Sequence, residues 1–160
     1  MWKKRLVSMA MALVLAVSLL PTTAWAVNSA DSLSDLEMYL RWSGTQTIEV
    51  TGTIEVTEPL VIPKTANITI TGGGTLKRAA SFTSGRMFRF DSSVGIYERN
   101  KARLTLENIT VDGNKVEARD PAFSLGSNAF LTLKNGAVIQ NHVSANTHGG
   151  AVEVTGGVLT

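Results

Sequence analysis

The sequence predicts an all-β solenoid, in which short parallel strands stack in coils of about 27 residues behind one short N-terminal helix. Three observations predict it. The pattern Leu104-Thr-Leu-Glu-Asn-Ile-Thr-Val-Asp-Gly-Asn114 returns one coil later as Leu131-Thr-Leu-Lys-Asn-Gly-Ala-Val-Ile-Gln-Asn141. A second pattern recurs at Met87, Ala122 and Ala151, with a longer first step and a shorter second one. From Thr47 onward the chain also breaks into β-branched triplets separated by Gly, Pro, Asn or Asp. An antiparallel sandwich would explain the triplets, but it gives no reason for a chemical pattern to recur at a fixed interval.

In chain order, Lys3, Lys4 and Arg5 precede an apolar run, Leu6 to Leu20, followed by Pro21 and the small-residue site Ala24-Trp25-Ala26. This order reads as a secretory signal over residues 1–26. The apolar run, about 15 residues long, is short of the roughly 20 that cross a bilayer. No later run spans, so no membrane insertion is expected after cleavage. Residues 27–44 read as a linker and a capping helix: Ser32 is an N-cap with Asp35 three residues on, Leu33, Leu36 and Leu40 follow at helical spacing, and Gly44 stops the run.

Residues 45–160 read as the solenoid. Its expected strands centre on Ile48–Val50, Ile54–Val56, Leu60–Ile62, Ile68–Ile70, Met87–Phe90, Leu104–Leu106 and Leu131–Leu133. Alternation within each triplet buries one face, and stacked coils repeat at about 4.8 Å. Asn108 is then expected over Asn135, and Asn114 over Asn141, as asparagine ladders. The stretch Val94 to Arg103 accounts for the longer step from Met87 to Ala122 by leaving the coil as a loop. The helix would seal the N-terminal strand edges. Thr160 falls within a strand-like run with no cap after it, so the expectation is a piece of a longer solenoid that self-associates through its C-terminal end.

Composition narrows the function classes. The 15 basic residues fall to 12 without the leader, against 13 acidic ones, for a net charge of −1. No basic run remains to suggest nucleic acid. Zero cysteines exclude a disulfide framework and a thiolate metal site.

The Glu58-Pro-Leu-Val-Ile-Pro63 turn, Ile68-Thr-Ile-Thr-Gly-Gly-Gly-Thr-Leu76, the Asn-Ile-Thr-Val-Asp-Gly-Asn coil and Gly149-Gly-Ala-Val152 together resemble the right-handed parallel β-helix proteins of the pectin-lyase-like superfamily. They resemble most its repetitive bacterial surface and adhesin-like members, and Gly149–Val152 is similar to the short repeat of polymorphic outer-membrane proteins. The resemblance implies right-handed coils. Since the superfamily carries lyases, hydrolases and non-enzymatic adhesins on one scaffold, the activity has to come from sites.

Catalysis on that scaffold takes acids gathered on one sheet. Of the polygalacturonase elements, only Thr147-His148-Gly149-Gly150 is approached, so no catalytic residue is assigned in this segment. Asp112, Asn114, Glu117 and Asp120 match no calcium loop, His142 and His148 lack a third metal ligand, and no cofactor is expected. Ligand binding is placed on the inserted loop, at Tyr97, Arg99 and Lys101, with Glu98 and Arg103 beside them: a ring among charges suits a glycan or a partner protein. The sequence thus reads as a secreted or cell-surface, adhesin-like module or stalk. The alternative is the N-terminal part of a polysaccharide lyase or glycoside hydrolase with active-site coils beyond residue 160.

Overall fold

The structure, a computed structural model, describes residues 27–92, 101–145 and 150–160. The leader read in residues 1–26 lies outside the described residues. The described chain is built of strands in parallel sheets, with one short helix. Its elements are β1 (Asn28–Ser29), α1 (Leu33–Leu40), β2 (Gly44–Glu49), β3 (Thr53–Val56), β4 (Leu60–Ile62), β5 (Ala66–Thr71), β6 (Thr75–Arg78), β7 (Phe88–Phe90) and β8 (Ala102–Leu106). There follow β9 (Ile109–Asp112), β10 (Glu117–Ala118), β11 (Phe123–Leu125), β12 (Ala129–Leu133), β13 (Ala137–Gln140), β14 (Val143–Ser144), β15 (Val152–Val154) and β16 (Val158–Leu159).

The first sheet runs β1-β2-β5-β8-β12-β16, the second β3-β6-β9-β13, the third β4-β7-β11-β15, and β10 pairs with β14. From β2 onward the chain visits first, second and third sheet in the same rotation, with β10 and β14 interposed late. Residue types repeat across the strands. Thr47, Thr69, Thr105 and Thr132 form one outward row, and Ile48, Ile70, Leu106 and Leu133 one inward row. All seven expected strand centres fall in or at the ends of strands.

The spacing is not the constant one that the repeat suggests. Along the inward row, the step from Ile48 to Ile70 is the shortest, that from Ile70 to Leu106 the longest, and that from Leu106 to Leu133 lies between them. The long step has two causes. Residues 79–87 join β6 to β7 where only 57–59 join β3 to β4, and residues 91–101 join β7 to β8 where only 63–65 join β4 to β5. Both excursions lie between strands, so neither disturbs the pairing.

Register also corrects the ladder over Asn108. After Leu106 opposite Leu133, the pairing slips by one position, so Ile109 faces Ala137 and Val111 faces Ile139. The extra residue is Gly136. At φ +77° it takes the left-handed position that Asn108 takes at φ 47°, and a Cβ there would come within 3.0 Å of the Asn108 Cα. Asn135 instead accepts the Asn108 N–H on its carbonyl. The second ladder departs too. Asn114 and Asn141 are both left-handed at φ 56°, but Asn114 Nδ2 donates to the Arg78 carbonyl and Asn141 Nδ2 to the Asp112 carboxylate. Each amide reaches the preceding layer rather than the other amide.

Inward residues from all three sheets, up to Leu131 on β12, form one apolar cluster, joined by Leu36 and Leu40. At mid-stack the Phe88 and Phe123 rings stack 4.6 Å apart at 9°. Residues in register on parallel strands place their rings face over face. The Ser32 hydroxyl accepts the Asp35 N–H at 3.2 Å, as an N-cap must. At the other end of α1, Gln46 Nε2 donates to the carbonyls of Tyr39 (2.7 Å) and Trp42 (3.0 Å), fastening the helix to β2. No helix among the described residues is long and apolar enough to cross a membrane.

Candidate functional site

Of the three residues assigned to ligand binding, Tyr97 and Arg99 lie outside the described residues, and so does Glu98. Lys101 is described, at the root of the loop. Its carbonyl accepts the Thr65 N–H at 2.8 Å, which ties the root to the preceding layer. Its ammonium stands 5.7 Å from the centre of the Phe130 ring, and the Arg103 guanidinium 4.4 Å from the same ring.

The register explains the cluster. Arg103 on β8 lies between Asn67 on β5 and Phe130 on β12, all on the outward face of the first sheet. The pleat that buries Leu104 and Leu131 turns Arg103 and Phe130 outward, and adjacent parallel strands set cation against ring. Sequence reasoning found Lys101 and Arg103 but missed Phe130, whose signal was its place one repeat after Arg103.

The other root of the loop borders a groove of about 270 Å³ lined by Arg86, Phe90, Ser92, Ser124, Gly126 and Ser127. The turn Gly126–Asn128 separates groove and patch. Gly126 lines the groove, while the Asn128 carbonyl accepts the Ala102 N–H at 2.9 Å. Hydroxyls and a guanidinium thus flank one root of the loop, and a cation–aromatic cluster flanks the other. Such a surface can hold hydroxylated or acidic groups, and among the described residues it presents no nucleophile paired with a base.

The acids that sequence reasoning set aside have structural duties. Asp112 accepts the Asn114 N–H at 2.6 Å and amide donation from Gln140 (2.9 Å) and Asn141. Burial by itself would raise its pKa, but these hydrogen bonds outweigh it and hold the carboxyl below its ordinary value. Asp120 accepts the Gly85 N–H at 3.0 Å. His142 is half-buried, its Nε2 3.3 Å from the Val111 carbonyl, and burial is the main cause that pushes its pKa below the ordinary histidine value. His148 lies outside the described residues.

One polar residue at the core went unrecognised. Arg78 is almost wholly buried; Nη1 donates to the carbonyls of Phe82 (3.0 Å) and Gly85 (3.1 Å), and the guanidinium lies 4.5 Å over the Phe82 ring. It pins the 79–86 excursion over the stack, with Asp120 as the favourable charge nearby. Nothing in Thr75-Leu-Lys-Arg78 marks it, because an arginine ending a strand ordinarily points to water.

No protein-family model, curated protein or solved structure matches the chain.

Proposed function

We propose that the chain is a right-handed parallel β-helix module of a secreted or cell-surface protein, an adhesin-like stalk that binds a glycan or a protein partner through the inserted loop that begins at Val94 and leads into β8, with no catalysis in this segment. The observation that carries it is the rotation of the chain through three parallel sheets with residue types in register. That arrangement makes a stiff rod whose insertions display contacts on one side. Right-handed winding is what the resemblance to the pectin-lyase-like superfamily implies. The leader directs the chain to export.

The loop is the contact surface on this reading, with Tyr97, Arg99 and Lys101 as its binding residues, and at its root Lys101 stands with Arg103 over Phe130. The test is binding of the exported chain to an array of acidic and neutral glycans and to immobilised extracellular-matrix proteins. Replacing Tyr97, Arg99 and Lys101 together by Ala is expected to abolish the strongest signal; an unchanged profile would remove the loop from the account.

A further inference from the structure

A second cleft lies away from the loop, beside the end of α1. It holds about 420 Å³ and is lined by Val27, Asn28, Trp42, Ser43, Gln46 and the threonines Thr45 and Thr47. Its position follows from the pairing of β1. That strand covers only Ile48 and Glu49 of β2, so among the described residues no strand lies along Gly44 to Thr47 on that side. Trp42 walls the open stretch. It is 54% exposed, and the Tyr39 ring meets its indole edge-on at 5.8 Å and 83°. An aromatic held on one side and open on the other is a platform for an apolar face.

The polar side of the cleft is also set. Gln46 donates through Nε2 to two carbonyls, which fixes the orientation of its amide. Its Oε1 is thereby aimed away from those carbonyls, shielded from bulk water and without a hydrogen-bond partner. The cleft is lined besides by Ser43, Thr45, Thr47 and Asn28, whose side chains offer hydroxyls and an amide. The lining carries no charged side chain, so nothing there compensates an anion or a cation.

We infer that this cleft is a binding site for a neutral saccharide, a pyranose stacking its C–H face on Trp42 while its hydroxyls meet the rim of Asn28, Ser43, Thr45 and Thr47. The inference is independent of the loop: it uses other residues, beside the edge of β2 rather than on the face of β8 and β12. A free strand edge also takes extended peptides. The neutral hydroxyl and amide rim around an exposed indole favours sugar, and a peptide is the competing outcome.

The chain supplies its own probe. Trp2 and Trp25 lie in the stretch read as the leader, so Trp42 is the single indole of residues 27–160. That chain is titrated with gluco-, manno- and chito-oligosaccharides to about 10 mM, ten times a millimolar Kd, while indole emission is followed and calorimetry is run in parallel. A saturable emission change with at least one neutral series is expected. By calorimetry, Trp42→Ala should weaken binding about tenfold or more with unchanged circular dichroism, Trp42→Phe should weaken it less, and Tyr97→Ala, Arg99→Ala and Lys101→Ala should leave it unaltered. No saturable response to any neutral series, wild-type affinity in Trp42→Ala, or emission that answers only to an extended peptide would each overturn the assignment. Neutral-sugar binding that is lost in the loop variants and kept in Trp42→Ala would overturn this site while supporting the loop.

Discussion

The two ends of the stack are built from the same strands and finished differently. At the N-terminal end α1 lays Leu36 and Leu40 into the apolar cluster, both essentially inaccessible, and β1 begins to cover the edge of β2. In the last layer of the described chain the inward rows are partly exposed. Leu133 continues the row of Leu106 and is 37% exposed, Val154 continues that of Leu125 and is 49% exposed, and Leu159 continues that of Leu131 and is 44% exposed. The difference teaches that inward orientation is set by register, whereas burial is set by what lies above. A layer becomes core only when both of its neighbours are present.

The comparison is sharpest where the same chemistry is removed at different depths. Truncating a mid-stack ring by Phe123→Ala deletes one partner of the stacked pair and should destabilise by about 3–5 kcal/mol in denaturant unfolding. Leu36→Ala at the closed end should cost about 2–5 kcal/mol, because a fully enclosed side chain leaves a cavity behind. Leu159→Ala at the open end should stay within about 0.5 kcal/mol, as for an ordinary surface site. Equal losses for Leu36 and Leu159 would break the comparison.

Between these extremes lies the helix cap. Ser32→Ala removes the acceptor of the Asp35 N–H and should cost about 1 kcal/mol. Its loss should appear as faster amide exchange in α1 and β2, with the C-terminal strands unchanged.

Acid should act on the other end. His142, just beyond β13, has a folded pKa below its ordinary 6.5, so the unfolded chain takes up its proton first. The stability this neutral ring contributes is full above pH 6.5 and falls as the pH drops from there through the lowered folded value. Asp112, clasped by Gln140 and Asn141 of the last layer, has a folded pKa below its ordinary 3.8. Its contribution is lost as the pH falls below 3.8. Amide exchange in β13 and β14 should therefore accelerate on acidification before that in α1, and His142→Gln should remove the first step while leaving the second.

Much of the architecture was legible because it depends on local chemistry. Ser32 with Leu33, Leu36 and Leu40 specifies a capped amphipathic helix with no help from the rest of the chain, and triplets such as Ile68-Thr-Ile70 fix inward and outward faces by alternation. The pairing of Leu104–Leu106 with Leu131–Leu133 was legible because the strands carry the same letters in the same order. It ceased to be so one turn later, where Gly136 adds a residue: Val111 and Val138 align as letters, but Val111 and Ile139 meet in space.

The sites were less legible because they are assembled across layers. Arg103 and Phe130 become a cluster only through the step from β8 to β12, and the buried place of Arg78 depends on an excursion that folds back over it. Trp42 carried a signal that sequence reasoning passed over, a lone indole in the polar run Trp-Ser-Gly-Thr-Gln-Thr. Its meaning needed the orientation of the Gln46 amide, which only the carbonyls of Tyr39 and Trp42 supply.

The central claim, that successive layers stack as parallel strands in this register, is tested most directly by cross-linking, since the chain has no cysteine of its own. Thr110→Cys with Val138→Cys joins outward neighbours on β9 and β13, and strands about 4.8 Å apart bring two Cα atoms within disulfide range. The account predicts rapid, near-complete oxidation of that pair within the monomer, and little for Val111→Cys with Val138→Cys, which the letter repeat aligns but the slip at Gly136 separates. Preferential oxidation of the second pair, or of neither, would contradict it.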